Sequence, residues 1–227
     1  GMEDLKGLRR GRVRIACSQA VAREFLPAAI GRFREGHPMV DFDVRVADHE
    51  QALAALTAYD VDVALVFGPA PLPQFERIAT LDQRLVALMP PDHALADRAP
   101  LRLRDCAPYP VALPDRSTGG RQLLDAFSER TGIQFEVVLE SNSFEMLRRS
   151  VAHAGLVSFQ IEVGAPADGS LPGIVVRPVD QRDAPAADLV LGQLQGRNLP
   201  VICGIFVEHL VAGMERIRGG APAFPAA

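Results

Sequence analysis

The chain has 227 residues, of which 48% are hydrophobic and 23% are charged, and its formal net charge at pH 7 is −4. This length and composition are typical of an ordinary globular protein that buries one large core or two smaller ones. No run of 18 apolar residues occurs, so no membrane-spanning helix is predicted, and the acidic balance argues against a chain that grips a phosphate backbone by itself.

The cysteines Cys17, Cys106 and Cys203 are odd in number and far apart in the sequence. Their spacing fits neither a zinc site nor a disulfide framework, so we expect a reducing, cytoplasmic environment. Gly1 precedes a methionine and is interpreted as the remnant of a removed tag. The segment "MEDLKGLRRG" lacks the apolar region of a secretory signal and is interpreted as the end of a helix.

The first part of the chain predicts alternating strands and helices. Four apolar residues of one segment alternate with polar ones and are predicted to share one face of a strand: Val40, Phe42, Val44 and Val46. In chain order the sequence predicts a strand over 13–16, a helix that Ser18 caps and that ends near 36, a strand over 40–46, a helix over 49–60 and a strand over 61–68. Pro27 either starts the first helix proper or kinks it after an irregular turn. This β-α-β-α-β order predicts a parallel sheet with right-handed crossovers.

A second set with the same order follows. A strand at 84–89 ends at a proline pair, and a short helical turn at 101–106 leads to the next strand. The second set comprises a strand at 110–114, a helix at 117–132 capped by Ser117 or Thr118, a strand at 133–141, a helix at 142–155 capped by Asn142 or Ser143, and a strand at 156–160. Two strands, at 173–179 and 187–194, and a final helix within 198–219 complete the prediction.

The order of elements predicts an α/β fold of two Rossmann-like lobes joined by two crossing strands, near 83–88 and 186–190. The predicted divisions are 1–11 for the tag remnant and helix end, 12–84 with 187–218 for lobe I, 85–186 for lobe II, and 219–227 for a flexible tail. Two crossings predict a hinge with a cleft. In such sheets, ligands bind beyond the carboxyl ends of the strands, at the starts of the helices.

Strand-to-helix junctions therefore supply the candidate binding residues. Hydroxyl groups and backbone N–H groups at helix starts favour an anionic or polar ligand, and Arg116 offers a guanidinium to a carboxylate. The candidates are Ser18, Gln19, Phe67, Gly68, Arg116, Ser117, Thr118, Ser143 and Phe144, with Phe159 as a further apolar surface. The alternative is purely structural, because each of these hydroxyl groups could simply cap a helix.

The sequence contains no recognisable catalytic constellation. Cys17 lies near the predicted cleft, but no histidine has an evident route to it. The histidines never form an H-x-x-x-H or H-E-x-x-H pattern, "GLVSFQ" is not a G-x-S-x-G elbow, and "STGGR" is not a phosphate-binding loop. We therefore expect no enzyme activity, no metal and no cofactor.

Several segments, in their order and spacing, resemble the effector-binding domain of LysR-type transcriptional regulators over about residues 10–215. They are "GRVRIACSQAVAREFLPAAIGRFREGHPMVDFDVRV", "ALTAYDVDVALVFG", "LVALMPPDHALADRAPLRLRDCAPYPVALP", "GGRQLLDAFSERTG" and "SFEMLRRSVAHAGLVSF". Tyr59 and Asp60 stand where that family usually has Gly, and Ala94 stands where it has Pro. The family pattern "VAAGLGIALLP" is replaced by "VAHAGLVSFQIEVGAP", which borders the cleft in this family, so the resemblance leaves the pocket shape at 157–166 open.

The resemblance implies a fold like that of type 2 periplasmic binding proteins, with a small metabolite bound between the lobes; the helix starts and Arg116 predict that this metabolite is anionic. It also implies an antiparallel homodimer, a tetramer for the full-length protein, and DNA binding only through a winged helix-turn-helix preceding residue 1. "MEDLKGLRRG" would then be the end of the linker helix. The alternatives are a periplasmic solute-binding receptor of a transporter, an enzyme on the same scaffold, and a dimerisation module with a vestigial cleft.

Overall fold

The computed structural model describes residues 10–68 and 73–225. The strands are β1 (Arg10–Cys17), β2 (Met39–Val46), β3 (Val63–Phe67), β4 (Phe75–Gln83), β5 (Leu85–Met89), β6 (Pro110–Pro114), β7 (Glu136–Ser141), β8 (Val157–Ile161), β9 (Val175–Pro178) and β10 (Ala187–Leu194). The helices are α1 (Gln19–Ala22), α2 (Phe25–Gly36), α3 (His49–Thr57), α4 (Leu103–Cys106), α5 (Gly119–Thr131), α6 (Phe144–Ala154) and α7 (Val201–Arg218). Within these ranges, no helix is both long enough and apolar enough to cross a membrane.

The described residues divide into two compact units. The first contains residues 10–66, 73–81 and 189–225, and the second contains 67–68 and 82–188. The chain thus changes unit at 81/82 and 188/189, where the sequence analysis placed the changes at 84/85 and 186/187. The second unit is almost continuous in sequence, whereas the first is assembled from separate segments.

The sheet of the first unit has the strand order β2-β1-β3-β10-β4. Strand β1 pairs in parallel with both β2 and β3, as the β-α-β-α-β pattern predicts. The face predicted for β2 is only partly buried: Val40 is fully buried, but Val44 and Val46 are 39% and 51% exposed. Strand β4 was not predicted, because it lies at the edge of the sheet and most of its side chains are exposed or half-buried, which weakens its apolar pattern.

The sheet of the second unit has the strand order β7-β6-β8-β5-β9. Strand β6 pairs in parallel with β7 and β8, while β5 runs antiparallel to β8 and β9, so the sheet is mixed. One face packs Val157 against residues of α4 and α5, including Leu103 and Phe127. The opposite face packs Ala112 against Leu147 of α6. Both faces of this sheet are therefore covered by helices.

The ends of α5 and α6 confirm two pairs of capping signals. Thr118 caps α5 and Ser143 caps α6, and each hydroxyl accepts a hydrogen bond from a backbone N–H of the first turn. Gly132 and Gly155 end the two helices in the left-handed region, at φ 72° and 66°. These signals position the helix starts, where the candidate residues lie.

The two chain ends differ from the sequence analysis. Residues 1–9 of the predicted tag remnant and helix end lie outside the described residues, and Arg10 begins β1 rather than ending a helix. In the predicted flexible tail, the ring of Phe224 packs edge-on against that of Phe25, with 5.3 Å between centroids. The guanidinium of Arg216 also donates to the carbonyl of Ala223. This part of the tail is therefore held against α2 and α7, while residues 226–227 lie outside the described ranges.

Candidate functional site

Two strand-to-helix loops lie side by side in the second unit. Pro114, at the end of β6, pairs with Ser141, at the end of β7, and the backbone N–H of Asp115 donates to the Ser141 carbonyl at 3.1 Å. The loop at 115–118 leads into α5, and the loop at 142–143 leads into α6. We call these loops, with the ends of β6, β7 and β8, the carboxyl edge of the second unit.

The hydroxyl groups of the first loop are engaged within the loop itself. The carboxylate of Asp115 accepts hydrogen bonds from the backbone N–H of Ser117, at 3.1 Å, and from the Ser117 hydroxyl. The Thr118 hydroxyl donates to the Asp115 carbonyl at 3.1 Å and accepts from the backbone N–H of Arg121 at 3.4 Å. Thr118 therefore caps α5, which is the structural alternative considered in the sequence analysis. The sequence analysis missed Asp115, although an Asp two residues before a Ser is a turn signal.

Arg116 differs from its neighbours in the loop. Its side chain is exposed and makes no hydrogen bond or ion pair with any described residue. The guanidinium can therefore turn toward an anion without breaking an existing contact.

The second loop has the same organisation as the first. The Ser143 hydroxyl accepts a hydrogen bond from the backbone N–H of Met146 at 3.2 Å, and its own N–H donates to the Ser141 hydroxyl at 3.0 Å. Phe144, the first residue of α6, is half-buried against the cluster that contains Ala112 and Leu147. Ser141 was not among the sequence candidates, because it lies inside the predicted strand.

Phe67 and Gly68, which belong to the second unit, closely approach the start of α5. Phe67 is 4% exposed. A Cβ atom on Gly119 would lie 2.4 Å from the Phe67 carbonyl oxygen and 2.7 Å from the Gly68 Cα, closer than any real contact allows. The structure therefore brings Phe67 and Gly68 next to the loop of Arg116 and Thr118, and a glycine at 119 makes this approach possible.

Ser18 and Gln19 lie at the corresponding edge of the first sheet. The backbone N–H of Ser18 donates to the Leu65 carbonyl at 2.9 Å, which joins the end of β1 to β3. Ser18 precedes the short helix α1, but its hydroxyl does not cap that helix. Gln19 is the first residue of α1, and both side chains are half-buried.

Phe159 is not placed as the sequence analysis predicted. Its ring is 1% exposed and lies 6.1 Å from the ring of Phe135, within the core that contains Phe127. The aromatic side chain therefore stabilises the interior of the second unit and offers no surface to a ligand. The next residue, Gln160, is 3% exposed, and neither atom of its amide has a hydrogen-bond partner among the described residues. The sequence signal for Gln160 is its large polar side chain within the mostly apolar segment "LVSFQI".

A buried arginine links α5 to the strands that end at the carboxyl edge. Arg121 is 5% exposed, and its guanidinium donates to Asp125 at 2.9 Å, to Glu140 at 2.7 Å and to the Pro114 carbonyl at 2.9 Å. Burial lowers the pKa of Arg121, but the hydrogen bonds to Glu140 and Asp125 outweigh burial and raise it. Arg121 stays charged and ties α5 to the ends of β6 and β7.

The cysteines are poor nucleophiles. Cys17, Cys106 and Cys203 are all buried, and burial raises the pKa of each thiol to about 12. Thiols with such a pKa are protonated near neutral pH and react slowly. Across residues 10–68 and 73–225, no group of three His, Cys, Asp or Glu side chains could hold a metal ion.

The sequence matches a known family over almost its whole length. The family model described as the LysR substrate binding domain matches residues 6–215. YeiE of Escherichia coli (strain K12), an uncharacterized HTH-type transcriptional regulator, is 27% identical over 143 residues, which are 63% of this chain and 48% of that protein. The chain thus spans about half the length of the curated relatives it matches.

Solved structures show the same fold. The regulatory domain of CcmR from Synechocystis PCC6803, solved in complex with 2-PG, has a TM-score of 0.81 and 21% identity, and the match covers 92% of this chain and 99% of that chain. The effector binding domain of QuiR, solved with shikimate, has a TM-score of 0.76 and 16% identity, with 91% and 98% covered. The relatives are transcriptional regulators and not transport receptors, which corrects the periplasmic alternative. With its two five-stranded sheets and a family match from residue 6 to 215, the chain belongs to the LysR substrate-binding domain family, whose fold is like that of type 2 periplasmic binding proteins.

Proposed function

We propose that this chain is the non-enzymatic, effector-sensing domain of a cytoplasmic LysR-type transcriptional regulator. The observation that carries the proposal is the family match over residues 6–215. The curated relatives are about twice as long as the matched region and include HTH-type transcriptional regulators. The proposal therefore places DNA binding in another part of the full-length protein, and effector binding in this chain.

The effector is proposed to be a small, anionic metabolite. CcmR and QuiR domains with the same fold were solved with small molecules bound. At the carboxyl edge of the second unit, the starts of α5 and α6 lie side by side, and helix starts attract negative charge. Arg116 adds a positive charge there, and Phe67 borders the same loop. Ser18 and Gln19 remain candidates at the edge of the first sheet.

Signalling is proposed to follow from a shift between two arrangements of the domain. An effector can shift such an equilibrium only by binding one arrangement more tightly than the other. The same free-energy difference then couples effector binding to the DNA affinity of the full-length protein.

The chain is proposed to form a homodimer, within a tetramer of the full-length protein. The edge strands β2 and β7 expose apolar side chains, with Val46 51% and Val138 53% exposed. An edge strand that presents apolar side chains is a surface that monomeric proteins usually protect. A second copy of the chain is proposed to pack against these edge strands.

A thermal-shift screen tests the effector proposal. We would measure the Tm of the domain with several hundred metabolites, weighted toward carboxylates, aromatic acids and amino acids. An effector at about 100 times its Kd adds about 2.7 kcal/mol to the free energy of unfolding, which raises the Tm by several degrees. No shift with any anionic or neutral compound would favour the vestigial-cleft alternative.

A substitution of Arg116 then tests where the anion binds. Arg116→Gln should weaken an anionic hit about tenfold, because it removes a charge-assisted contact. Arg104→Gln is the matched control, since Arg104 is an exposed arginine of the same unit, outside the carboxyl edge. Equal affinity of the Arg116→Gln variant and the wild type would show that Arg116 does not contact the effector.

A further inference from the structure

Gln160 is a buried polar residue whose side-chain amide makes no hydrogen bond with any described residue. Its side chain is 3% exposed, and both Nε2 and Oε1 lack a hydrogen-bond partner within residues 10–68 and 73–225. A buried amide that loses water without gaining a partner destabilises the folded state. Such an uncompensated group calls for an explanation.

Other buried polar side chains near Gln160 are satisfied. The Ser158 hydroxyl donates to the Ala112 carbonyl at 2.7 Å. The Gln83 amide donates to the Asp82 carbonyl at 3.0 Å and accepts from the backbone N–H of Val163 at 2.8 Å. The unit therefore has the means to pair buried polar groups on these strands, and Gln160 is the exception among these three.

The pleat of β8 shows which face of the sheet Gln160 is on. Val157 and Phe159 belong to the core beneath α4 and α5. Successive side chains of a strand alternate between faces, so Ser158 and Gln160 are on the face covered by α6. Val86, which pairs with Gln160 across the sheet, packs on that face against Val151 of α6.

The position along β8 places Gln160 at the carboxyl edge. Ala112 of β6 pairs with Ser158 of the parallel strand β8. Two residues further in the same direction, β6 ends at Pro114, which pairs with Ser141, and β8 has reached Gln160. Gln160 is therefore level with the loops at 115–118 and 142–143, on the side of the sheet where α6 begins.

We propose that the Gln160 amide is a specificity-determining contact that binds a neutral group of the effector, a hydroxyl or a carboxamide. This inference rests on the proposed effector-sensing function. A hydroxyl or carboxamide donates to Oε1 and accepts from Nε2, so it satisfies both orphaned atoms. A carboxylate accepts only, and would leave Oε1 without a donor. The effector then carries two polar features: a negative charge for Arg116 and the helix starts, and a neutral donor–acceptor group for Gln160.

The first test needs no ligand. Gln160→Leu replaces the unpaired amide with an apolar group of similar size, and should raise the Tm of the free domain by about 3–8 °C. The matched control is Gln83→Leu, which removes a buried glutamine with partners and should lower the Tm. A lower Tm for Gln160→Leu would show that the amide is hydrogen-bonded in the free domain, and would overturn the proposal.

The second test uses matched pairs of probes that differ only in a carboxamide against a carboxylate, acetamide with acetate and nicotinamide with nicotinate, together with any hit of the thermal-shift screen. Binding is followed by backbone amide resonances of residues 143–146. Compounds with a hydroxyl or carboxamide should lose at least about tenfold in affinity for the Gln160→Leu variant, because one to two hydrogen bonds are lost. Gln160→Glu should weaken the same compounds, since a carboxylate no longer donates.

The outcomes separate this inference from the function on which it rests. Compounds that bind at residues 143–146 with equal affinity for the wild type and the Gln160→Leu variant would overturn the role of Gln160 and leave the sensor function standing. If no compound binds the wild type in any assay, the sensor function itself fails, and the role of Gln160 with it.

Discussion

At the scale of single residues, Gly119 and Gly120 are neighbours with opposite surroundings. A Cβ on Gly119 would lie 2.4 Å from the Phe67 carbonyl, whereas a Cβ on Gly120 would meet nothing within 4 Å. Gly119→Ala should therefore lower the free energy of unfolding by about 1–3 kcal/mol, because backbone atoms must move. Gly120→Ala should be neutral or stabilising by up to about 1 kcal/mol, since Ala favours a helix. Urea unfolding of both variants tests the contrast, and equal effects would contradict the close approach at Gly119.

Asp183 makes the stability of the second unit depend on pH. Hydrogen bonds from the Arg102 guanidinium, both at 2.9 Å, lower the pKa of this buried carboxyl, and the backbone N–H of Leu103 donates to it at 2.8 Å. Because the folded pKa is depressed, the stabilisation is present above the unfolded value of about 3.9 and is lost as the pH falls through the lower folded value.

Asp183→Asn should lower the free energy of unfolding at pH 6, because the half-buried Arg102 guanidinium loses the charge of its buried partner. The difference from the wild type should shrink as the pH falls through the depressed folded pKa of Asp183, because the native carboxyl then also becomes protonated. Chemical unfolding over a series of falling pH values measures this, and a difference that stays constant throughout would show that the pairing does not control the pKa.

At the scale of elements, the start of α6 offers a test of effector charge that leaves the helix intact. Ser143 caps α6, so Ser143→Ala would weaken the helix whatever the effector does. Asp and Asn both retain the cap, but Asp adds a negative charge. Ser143→Asp should therefore reduce the affinity for an anionic effector at least about tenfold relative to Ser143→Asn, at similar stability. Calorimetric titration measures the effector affinity of the two variants, and equal affinities would show that the anion does not bind near the start of α6.

The elements also show what sequence patterns can predict. Glycine and hydroxyl signals mark the ends of α5 and α6, because those residues act on the local backbone. The strand β4 was not predicted, since an edge strand with exposed side chains shows little apolar pattern. In β2, Val44 and Val46 alternate as a buried face would, but they lie on the exposed part of the strand. The pattern shows which side chains share a face and does not show what covers it.

The candidate site was only partly predictable. The junction loops followed from the order of strands and helices, since parallel strands bring their carboxyl ends to one edge. Phe159 was assigned to a ligand surface and Gln160 was overlooked, because the face of a short, fully buried strand depends on its neighbours in the sheet. The close approach at Gly119 depends on residues more than fifty positions away, and no local pattern contains it.

At the scale of the whole molecule, the proposed dimer can be tested at the edge strands. Val46→Lys and Val138→Lys should each shift the domain toward monomer, because a charge replaces an exposed apolar side chain in the proposed interface. Ile78→Lys is the control, since Ile78 is exposed on the other edge strand of the first sheet, β4. Sedimentation velocity of the three variants tests this. A wild-type monomer, or an unchanged dimer in both valine variants, would contradict the assignment of this interface.

The place of β10 in the first sheet has a consequence for how the chain emerges from the ribosome. Strand β10 lies between β3 and β4, so until residues 187–194 have been made β4 has no partner in the sheet and β3 is paired only with β1. The second unit is continuous from 82 to 188, so it is synthesised before all but the first two residues of β10. The unit that begins the chain is therefore finished last, and its half-built sheet exposes two unpaired strand edges while translation continues. We expect nascent chains of this protein to need protection from aggregation in this interval.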